Sequence, residues 1–360
     1  MSIRSRFVRI ALIVLLVLVF AGYFAFSTFL FSPTESDYDA DVSTLVPRDV
    51  DFFVAKSNLR RDFSALPELV LQPTLDRNKN WQTWIESPEY AELDKSWGLS
   101  SALAGLKTEI DALGVDPLDV FGGEDLAIAG YFKGASFEQA DWAVYGRATW
   151  MGKLAAAVLE YPSLSGMEKQ GFSVAGGEGF TEISGGQLKR PIFVTRIRDV
   201  VIAGTSKDLV VKASDLNARG GQESFGLSAN YNDYIQQARR TTSRDDIEVY
   251  VDWRTLAEKM RIDGRQPNPS SDVFSTVLAS RLFQLSALRS FAGVIGFDHG
   301  IVINAHGELS AEVMTPVQKS LYRVRGRESD TVALQLGRLA RSDAQIVAHL
   351  EVDLGQFLTE

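Results

Sequence analysis

The 360-residue sequence contains no cysteine and only three histidines. The absence of cysteine excludes disulfide bonds, iron–sulfur clusters, thiolate-bound zinc and a thiol nucleophile. Three histidines also leave few ligands for an imidazole-rich metal site. Hydrophobic residues make up 45% of the chain and charged residues 23%. That composition is typical of a globular protein and excludes a disordered or low-complexity chain.

Charged residues are absent from positions 10–31, which form a long apolar run near the N-terminus. A helix of this length rises about 33 Å, slightly more than the roughly 30 Å of a hydrocarbon core. Arg4, Arg6 and Arg9 precede the run, so the positive-inside rule places residues 1–9 in the cytoplasm. We therefore predict a single-pass transmembrane signal anchor at 10–31, with the bulk of the chain in the periplasm.

A cleaved signal peptide is the alternative interpretation of this segment. Its apolar run is longer than the roughly 7–15 residues of a signal-peptide core, and no A-x-A cleavage motif follows closely. These two features favour an uncleaved anchor in the cell membrane.

The chain beyond the predicted anchor is acidic. The full sequence has 37 basic and 46 acidic residues, so setting aside the three N-terminal arginines leaves a net charge of −12. Nucleic acid is excluded as a partner, because phosphate binding requires a basic surface. Residues 32–46 contain alternating acidic positions, and we predict that they form a short, solvated acidic linker.

Beyond this linker, a strand pattern followed by a helix start recurs four times. The apolar residues alternate over about five positions in each copy, which is typical of a half-buried strand. The four copies are residues 49–63, 140–154, 245–260 and 343–358. The order strand, helices, strand, strand runs from about 50 to 149 and again from about 247 to 309. We therefore predict a duplicated α+β ectodomain with a mostly antiparallel sheet, divided into repeat 1 (47–225) and repeat 2 (226–360).

The alternation also predicts which strand residues face the core. The expected inward sets are Phe52 and Val54, Ala143 and Tyr145, Ile247, Val249 and Val251, and Ile346, Ala348 and Leu350. Residues 192–204 are expected to form a hairpin that turns near Arg198 and Asp199. A helix is expected from Thr205 to Leu216, with Thr205 and Asp208 forming a capping box.

Three segments resemble an uncharacterised bacterial family of membrane-anchored extracytoplasmic domains of unknown function. They are LVPRDVDFFVAKSNL at 45–59, ALGVDPLDVFGGEDLAIAGYF at 112–132 and IRDVVIAGTSKDLVVKASDL at 197–216. The resemblance covers roughly residues 45–310. It implies an anchored, duplicated α+β domain, and it implies no catalytic residues.

Two glycine-containing motifs for catalysis are incomplete. Gly146 and Gly152 stand one residue too far apart for a phosphate-binding loop, and Leu154 replaces the hydroxyl residue that would bind magnesium. The segment from Gly204 to Asp208 is similar to a nucleophile elbow, but that turn needs a small residue where Asp208 stands. We expect neither segment to be catalytic.

The three histidines are His299, His306 and His349. Strand pairing could bring two of them beside an acidic residue such as Glu308 to form a weak metal site. We instead expect them, like the acidic pairs of the chain, on the surface of the sheet. The sequence thus predicts no catalytic residue, no metal site, no cofactor and no enzymatic activity.

Two small groups of residues are candidate ligand contacts. Trp81 and Trp84 share a helical face and could stack on a sugar, although core packing is the commoner role of such residues. Arg323, Arg325 and Arg327 alternate, so a strand would present all three on one face to a phosphate or an acidic glycan.

These observations predict a membrane-anchored, non-catalytic interaction or scaffold module of the cell envelope. An envelope protein is the expected partner, and a sheet edge left open by the fourth, truncated strand–helix unit at 343–358 is the expected docking site. The alternative is an extracytoplasmic domain that binds a lipid or a glycan in the cleft between the two repeats.

Overall fold

The computed structural model describes part of the chain. The described residues are 15–23, 36–58, 63–65, 68–69, 77, 79–97, 100–101, 104–105, 108, 120–121, 125–134, 139–159, 166–186, 188–236, 247–260, 288–296, 302–310 and 312. The predicted strand and helix at 343–358 and the triplet Arg323, Arg325 and Arg327 lie outside this part.

The described residues form a mixed α+β fold. The strands are β1 Phe52–Ser57, β2 Phe63–Ala65, β3 Glu68–Leu69, β4 Asp125–Tyr131, β5 Asp141–Arg147, β6 Phe172–Gly177, β7 Phe180–Gly185, β8 Ile192–Ile197, β9 Val200–Gly204, β10 Ile247–Val251, β11 Leu288–Gly296 and β12 Val302–Leu309. The α-helices are α1 Lys79–Ile85, α2 Pro88–Trp97, α3 Trp150–Leu159, α4 Lys207–Ala218 and α5 Trp253–Met260. Short helical turns occur at Val42–Leu45, Met167–Gln170, Phe225–Leu227 and Asn230–Ile235.

Ten of the strands form one antiparallel sheet. Their order is β12–β11–β10–β1–β4–β5–β9–β8–β7–β6, and β2 pairs with β3 separately. The predicted antiparallel α+β class is therefore confirmed. Because β1 and β10 are neighbours, both predicted repeats contribute strands to the same sheet.

The predicted hairpin at 192–204 is confirmed by the pairing of β8 with β9. Its turn contains Arg198, which has a positive φ of 55°. The predicted start of the next helix is wrong by one residue, because Ser206 is the N-cap and its Oγ accepts a hydrogen bond from the Leu209 N–H at 3.4 Å. Thr205 is unavailable as a cap, since its Oγ1 accepts a hydrogen bond from the Trp142 N–H at the edge of β5.

The predicted inward residues are right in β5 and wrong in β1 and β10. Ala143 and Tyr145 are fully buried. In β1 it is Phe53 that is fully buried, whereas Phe52 and Val54 are only half-buried. In β10 the buried residues are Glu248 and Tyr250. The main core therefore lies on the opposite face of these two strands from the one that the alternation predicts.

This main core lies between one face of the sheet and the segments that cross it, namely residues 42–46, helix α4 and residues 225–235. Phe53 is at its centre, with its ring centroid 4.7 Å from that of Phe225 and 6.1 Å from that of Tyr231. A smaller cluster packs beneath α3. Its buried members are Ala156, Phe172, Ile183, Ile192, Val194 and Val201.

Tyr145 carries a buried hydroxyl group within the main core. The Tyr145 Oη has no hydrogen-bond partner among the described residues, and burial raises the pKa of this phenol well above its usual value. An unsatisfied buried polar group destabilises a fold by about 1–3 kcal/mol. We therefore expect Tyr145→Phe to raise the free energy of unfolding by about 1 kcal/mol at pH 7, measured by urea denaturation.

The same variant should gain further stability at alkaline pH. The pKa of Tyr145 is raised in the folded state, so the wild type is fully stabilised below pH ~10 and loses stability as the pH rises above that value. Tyr145→Phe removes this loss. Tyr250→Phe is the control, because the Tyr250 Oη accepts a hydrogen bond from Asn230 at 3.2 Å and its removal should destabilise the protein at pH 7. A destabilised Tyr145→Phe variant would contradict the prediction.

Residues 15–23 belong to the predicted anchor and are helical. Seven large apolar side chains of this segment are between 55% and 68% exposed. Among the described residues, no helix combines the length and the hydropathy needed to cross a membrane. The other residues of the predicted anchor lie outside the described part of the chain.

Candidate functional site

The end of the predicted acidic linker is packed into the main core. We call residues 36–46 the docked linker. Val42, Leu45 and Val46 are buried with at most 3% exposure, and Tyr38 is 8% exposed. The prediction of a solvated linker is therefore wrong for this segment. Its alternating carboxylates do point to solvent, but the apolar residues between and after them bury themselves against the sheet.

A short helical turn lets these apolar residues share one face. Asp41 caps the turn, and its carboxylate accepts a hydrogen bond from the Ser43 N–H at 2.9 Å. The Tyr38 hydroxyl contacts the Thr44 hydroxyl at 2.8 Å. A capping acid of this kind satisfies a free backbone donor at the start of a turn. The linker acids thus have a structural role as well as a solvated one.

Arg147, the last residue of β5, holds the docked linker against the sheet. Its guanidinium group donates hydrogen bonds to the backbone carbonyls of Tyr38 at 2.8 Å and Ala40 at 3.0 Å. It also binds the carboxylates of Asp199 at 2.9 Å and Asp125 at 3.2 Å. Four acceptors on three different segments therefore converge on one planar, always charged group, which a lysine could not replace.

Asp199 completes this cluster from the β8–β9 turn. Its carboxylate binds Arg147 and also accepts a hydrogen bond from the Tyr38 N–H. Burial alone would lower the pKa of Arg147, but the hydrogen bonds and charges of Asp199 and Asp125 raise it overall. The Arg147 cluster, which we define as Tyr38, Asp125, Arg147 and Asp199, therefore holds the docked linker through one guanidinium group and two carboxylates.

Two further basic residues reach the docked linker from the solvent side. Arg198 donates hydrogen bonds to the Asp37 carbonyl at 3.2 Å and to the Ser36 hydroxyl at 3.4 Å. Lys153 forms an ion pair with Asp37 at 3.2 Å, and the Asp37 side chain is 77% exposed. Exposed pairs of this kind contribute little stability, so the Arg147 cluster carries most of the polar attachment.

A cleft of about 460 Å³ lies near the opposite end of β1. Pro47, Arg48 and Asp49, which lead into β1, form one side of it, and the last turns of α4 form the other. Its lining residues are Pro47, Arg48, Asp49, Lys212, Asp215, Leu216, Arg219 and Glu223. All of these residues belong to the predicted repeat 1, so this cleft is a different place from the predicted cleft between repeats.

Ion pairs occupy part of the cleft rim. Lys212 Nζ lies 2.9 Å from Asp208 and 3.5 Å from Asp49, and its pKa is raised chiefly by the hydrogen bond to Asp208. The Tyr131 hydroxyl donates a hydrogen bond to Asp49 at 3.0 Å. Burial, and then the charge of Asp49, raise the pKa of Tyr131. These contacts connect Asp49, which lies just before β1, to Lys212 on α4 and to Tyr131 on β4.

Of the predicted ligand contacts, Trp84 is the one whose side chain lies in the described part of the chain. Trp84 lies on α1, is 45% exposed and packs edge-on against Tyr90 with ring centroids 4.7 Å apart. Trp81 lies one turn earlier on the same helix, but its side chain is outside the described part, as is the arginine triplet. The sugar-stacking and anion-binding predictions therefore stay predictions.

The structure describes one of the three histidines and both glycine motifs. His306 is exposed on β12 and stacks on Tyr234 with ring centroids 5.9 Å apart, whereas His299 and His349 lie outside the described residues. Within the described residues, no three His, Asp or Glu side chains come together as a metal site. Gly152 is needed for close packing, because a Cβ there would lie 2.0 Å from the Val120 carbonyl oxygen.

Sequence reasoning missed both the Arg147 cluster and the cleft. The partners of Arg147 lie 22 to 109 positions away, and a single arginine at the end of a strand gives no signal of such contacts. A usable signal was present in the apolar residues Val42, Leu45 and Val46, whose spacing indicates a buried turn.

Comparisons with known proteins place no family name on the chain. No protein-family model matches the sequence, and no curated protein sequence is significantly similar to it. Among solved structures, crystal form I of TP0453 is a structural neighbour with a TM-score of 0.32 and 9% sequence identity. The match covers 84% of this chain and 88% of that one.

Proposed function

We propose that the protein is a membrane-anchored, extracytoplasmic interaction module without catalytic activity, held close to its anchor by the docked linker. The observation that carries the proposal is the Arg147 cluster, which binds the backbone of Tyr38 and Ala40, seven and nine positions after the end of the predicted anchor, to the sheet. Five peptide steps separate Phe31, where the predicted anchor ends, from Ser36. At about 3.6 Å per residue they span at most about 18 Å, so the ectodomain would stay close to the bilayer.

Two features support the anchor itself. The apolar run at 10–31 is long enough to span a bilayer, and the described helix at 15–23 exposes its apolar side chains instead of packing them on the sheet. A short linker that is also docked suits a protein whose position relative to the membrane matters, because a free linker would let the domain diffuse around its anchor.

The docked linker also orients the ectodomain. Ser57 at the end of β1 pairs with Asp125, which binds Arg147. Phe52 at the start of β1 lies five residues away, which corresponds to about 17 Å along the strand. The end of the sheet that contains Asp125 and Arg147 would therefore face the membrane, and the cleft beside Arg48 would face away from it.

We further propose that the six strands from β12 to β5 in the sheet order arose by duplication, as the repeated patterns indicate. The trio β1, β4 and β5 corresponds to β10, β11 and β12, since each trio is a run of neighbouring antiparallel strands in chain order. Leu126 faces Gly146 as Phe291 faces Gly307, and Ala127 faces Tyr145 as Ala292 faces His306. In this alignment the contact between Arg147 and Asp125 corresponds to the contact between Glu308 and Ser290 at 3.2 Å. The uncharacterised extracytoplasmic family stays the proposed relationship.

An envelope protein is the proposed partner, and the outer edge of β6 is the proposed contact. Within the described residues β6 pairs only with β7, so its other edge offers free backbone donors and acceptors. Ser173, Ala175, Gly176 and Gly177 are exposed there. Such an edge can accept a strand from another protein by β-augmentation.

Membrane topology can be tested with single cysteines, because the natural chain has none. We would express Ser5→Cys and Ala218→Cys as full chains and treat intact spheroplasts with a membrane-impermeant maleimide. The proposal expects labelling of the exposed Ala218→Cys variant and not of Ser5→Cys until the membrane is opened. Labelling of neither variant in intact spheroplasts, or release of the Ala218→Cys protein into the soluble periplasmic fraction, would overturn it.

The interaction role requires a separate test. A photo-crosslinking residue at Ala175 on β6 should give one discrete adduct with an envelope protein in living cells. The same residue at Ala155, which is exposed on α3, is the matched control and should give no such adduct. Equal crosslinking at both positions, or none at Ala175, would contradict a partner at the β6 edge.

A further inference from the structure

The cleft between residues 47–49 and helix α4 has an apolar floor and a charged rim. Pro47 and Leu216 form the floor, and both are buried. The rim carries three basic and three acidic side chains: Arg48, Lys212, Arg219, Asp49, Asp215 and Glu223. Its volume of about 460 Å³ falls within the range of small-molecule sites.

The charges on the rim are not all paired with one another. Lys212 is held by Asp208 and Asp49, and Arg219 lies 3.8 Å from Glu223. The Arg48 and Asp215 side chains form no ion pair within the described part of the chain. One cation and one anion are therefore left facing the same cleft.

This pattern selects among classes of ligand. A simple anion such as phosphate could pair with Arg48 but would leave the Asp215 carboxylate without a partner. A simple amine could pair with Asp215 but would leave the Arg48 guanidinium without one. A molecule that carries both an ammonium and a carboxylate group offers one partner to Asp215 and one to Arg48, and such charge complementarity gives specificity.

We propose that this cleft binds a short peptide with free amino and carboxyl termini, with an aliphatic side chain on Pro47 and Leu216. Arg48 binds the carboxylate through its planar guanidinium fork, and Asp215 binds the ammonium group. The cleft is large enough for two or three residues and too small for a folded partner. This inference goes beyond the proposed function, because it requires neither the anchor nor the β6 edge.

The probe for the test is the dipeptide leucyl-alanine, titrated calorimetrically into the full-length protein in detergent. N-acetyl-leucyl-alanine lacks the ammonium group, and leucyl-alanine amide lacks the carboxylate. We expect each modification to weaken binding by about threefold to fivefold, because each removes one ionic contact to an exposed side chain. Binding that is indifferent to both modifications, or no binding of leucyl-alanine at millimolar concentration, would overturn the proposal.

Two variants test which residue binds which terminus of the dipeptide. Arg48→Gln should weaken binding of leucyl-alanine and abolish the preference for the free carboxylate, while the preference for the free ammonium group persists. Asp215→Asn should have the converse effect. Arg254→Gln, which changes an exposed arginine on α5, is the control and should bind as the wild type does. Loss of both preferences in either single variant would contradict the assignment.

Discussion

Phe53→Ala is expected to lower the free energy of unfolding by about 3–5 kcal/mol, the usual loss when a fully buried phenylalanine is truncated. Phe53 has no exposed surface, and its ring packs against Phe225 and Tyr231. Its strand lies between β4 and β10, so the surrounding backbone cannot easily collapse into the space. Urea denaturation of the full-length protein in detergent would measure the change.

The same variant tests whether the two predicted repeats fold as one unit. Phe53 belongs to repeat 1, whereas Tyr231 and Tyr250 of the same core belong to repeat 2. Hydrogen exchange should therefore show an equal loss of protection in β5 and β11. A loss confined to one repeat would contradict a shared core. Phe52→Ala is the matched control, because the adjacent side chain lies on the other face and is only half-buried; it should lose about 1–2 kcal/mol.

The α+β class was predictable because most strands can be recognised from local patterns of apolar residues. β5 and β10 fall inside two of the four recurring strand–helix segments, and β8 and β9 fall inside the predicted hairpin at 192–204. The hairpin at Arg198 and Asp199 was equally local, since two such runs are separated by a polar turn. Features of this kind depend on residues only a few positions apart, and the sequence displays them directly.

The choice of core face was not predictable for β1, for a physical reason. Phe52, Phe53 and Val54 are all apolar, so either face could have been the inner one. In β10 the alternation favoured Ile247, Val249 and Val251, but the structure buries Glu248 and Tyr250 more deeply. The pairing of Phe53 with Tyr250 sets both strands in phase, and pairing between distant strands leaves no trace in either segment alone.

The docked linker shows the same limit more strongly. Its alternating acids indicate solvent exposure, and Asp37 and Asp39 are indeed exposed. The segment is nevertheless packed against the sheet by Val42, Leu45 and Val46 and by its hydrogen bonds with Arg147. Arg147 lies more than a hundred positions away in the chain. The site therefore depends on a contact between two distant segments, and neither segment alone contains a pattern that predicts it.

Arg147→Met is expected to release the docked linker and to lower the free energy of unfolding by about 2–3 kcal/mol. Removing one partner of a buried ion pair leaves the other charge uncompensated, at a cost of about 3–5 kcal/mol. The estimate for this cluster is lower because the Arg147 side chain is 19% exposed and Asp125 is 37% exposed. Two linker carbonyls would lose the Arg147 donor, and within the described part of the chain the Asp199 carboxylate would keep only its hydrogen bond from the Tyr38 N–H. Hydrogen exchange across residues 36–46 should rise before the sheet itself opens.

Lys153→Met is the control for Arg147→Met, because it removes a contact with the docked linker but leaves the Arg147 cluster intact. Lys153 touches the same linker through an exposed pair with Asp37, so its removal should change stability by less than about 0.5 kcal/mol. The double variant Arg147→Met, Asp199→Asn should recover part of the loss, because the uncompensated carboxylate is gone. If Arg147→Met left linker exchange unchanged, the buried turn at Val42–Leu45 alone would hold the segment, and the Arg147 cluster could not be what mounts the ectodomain on its anchor.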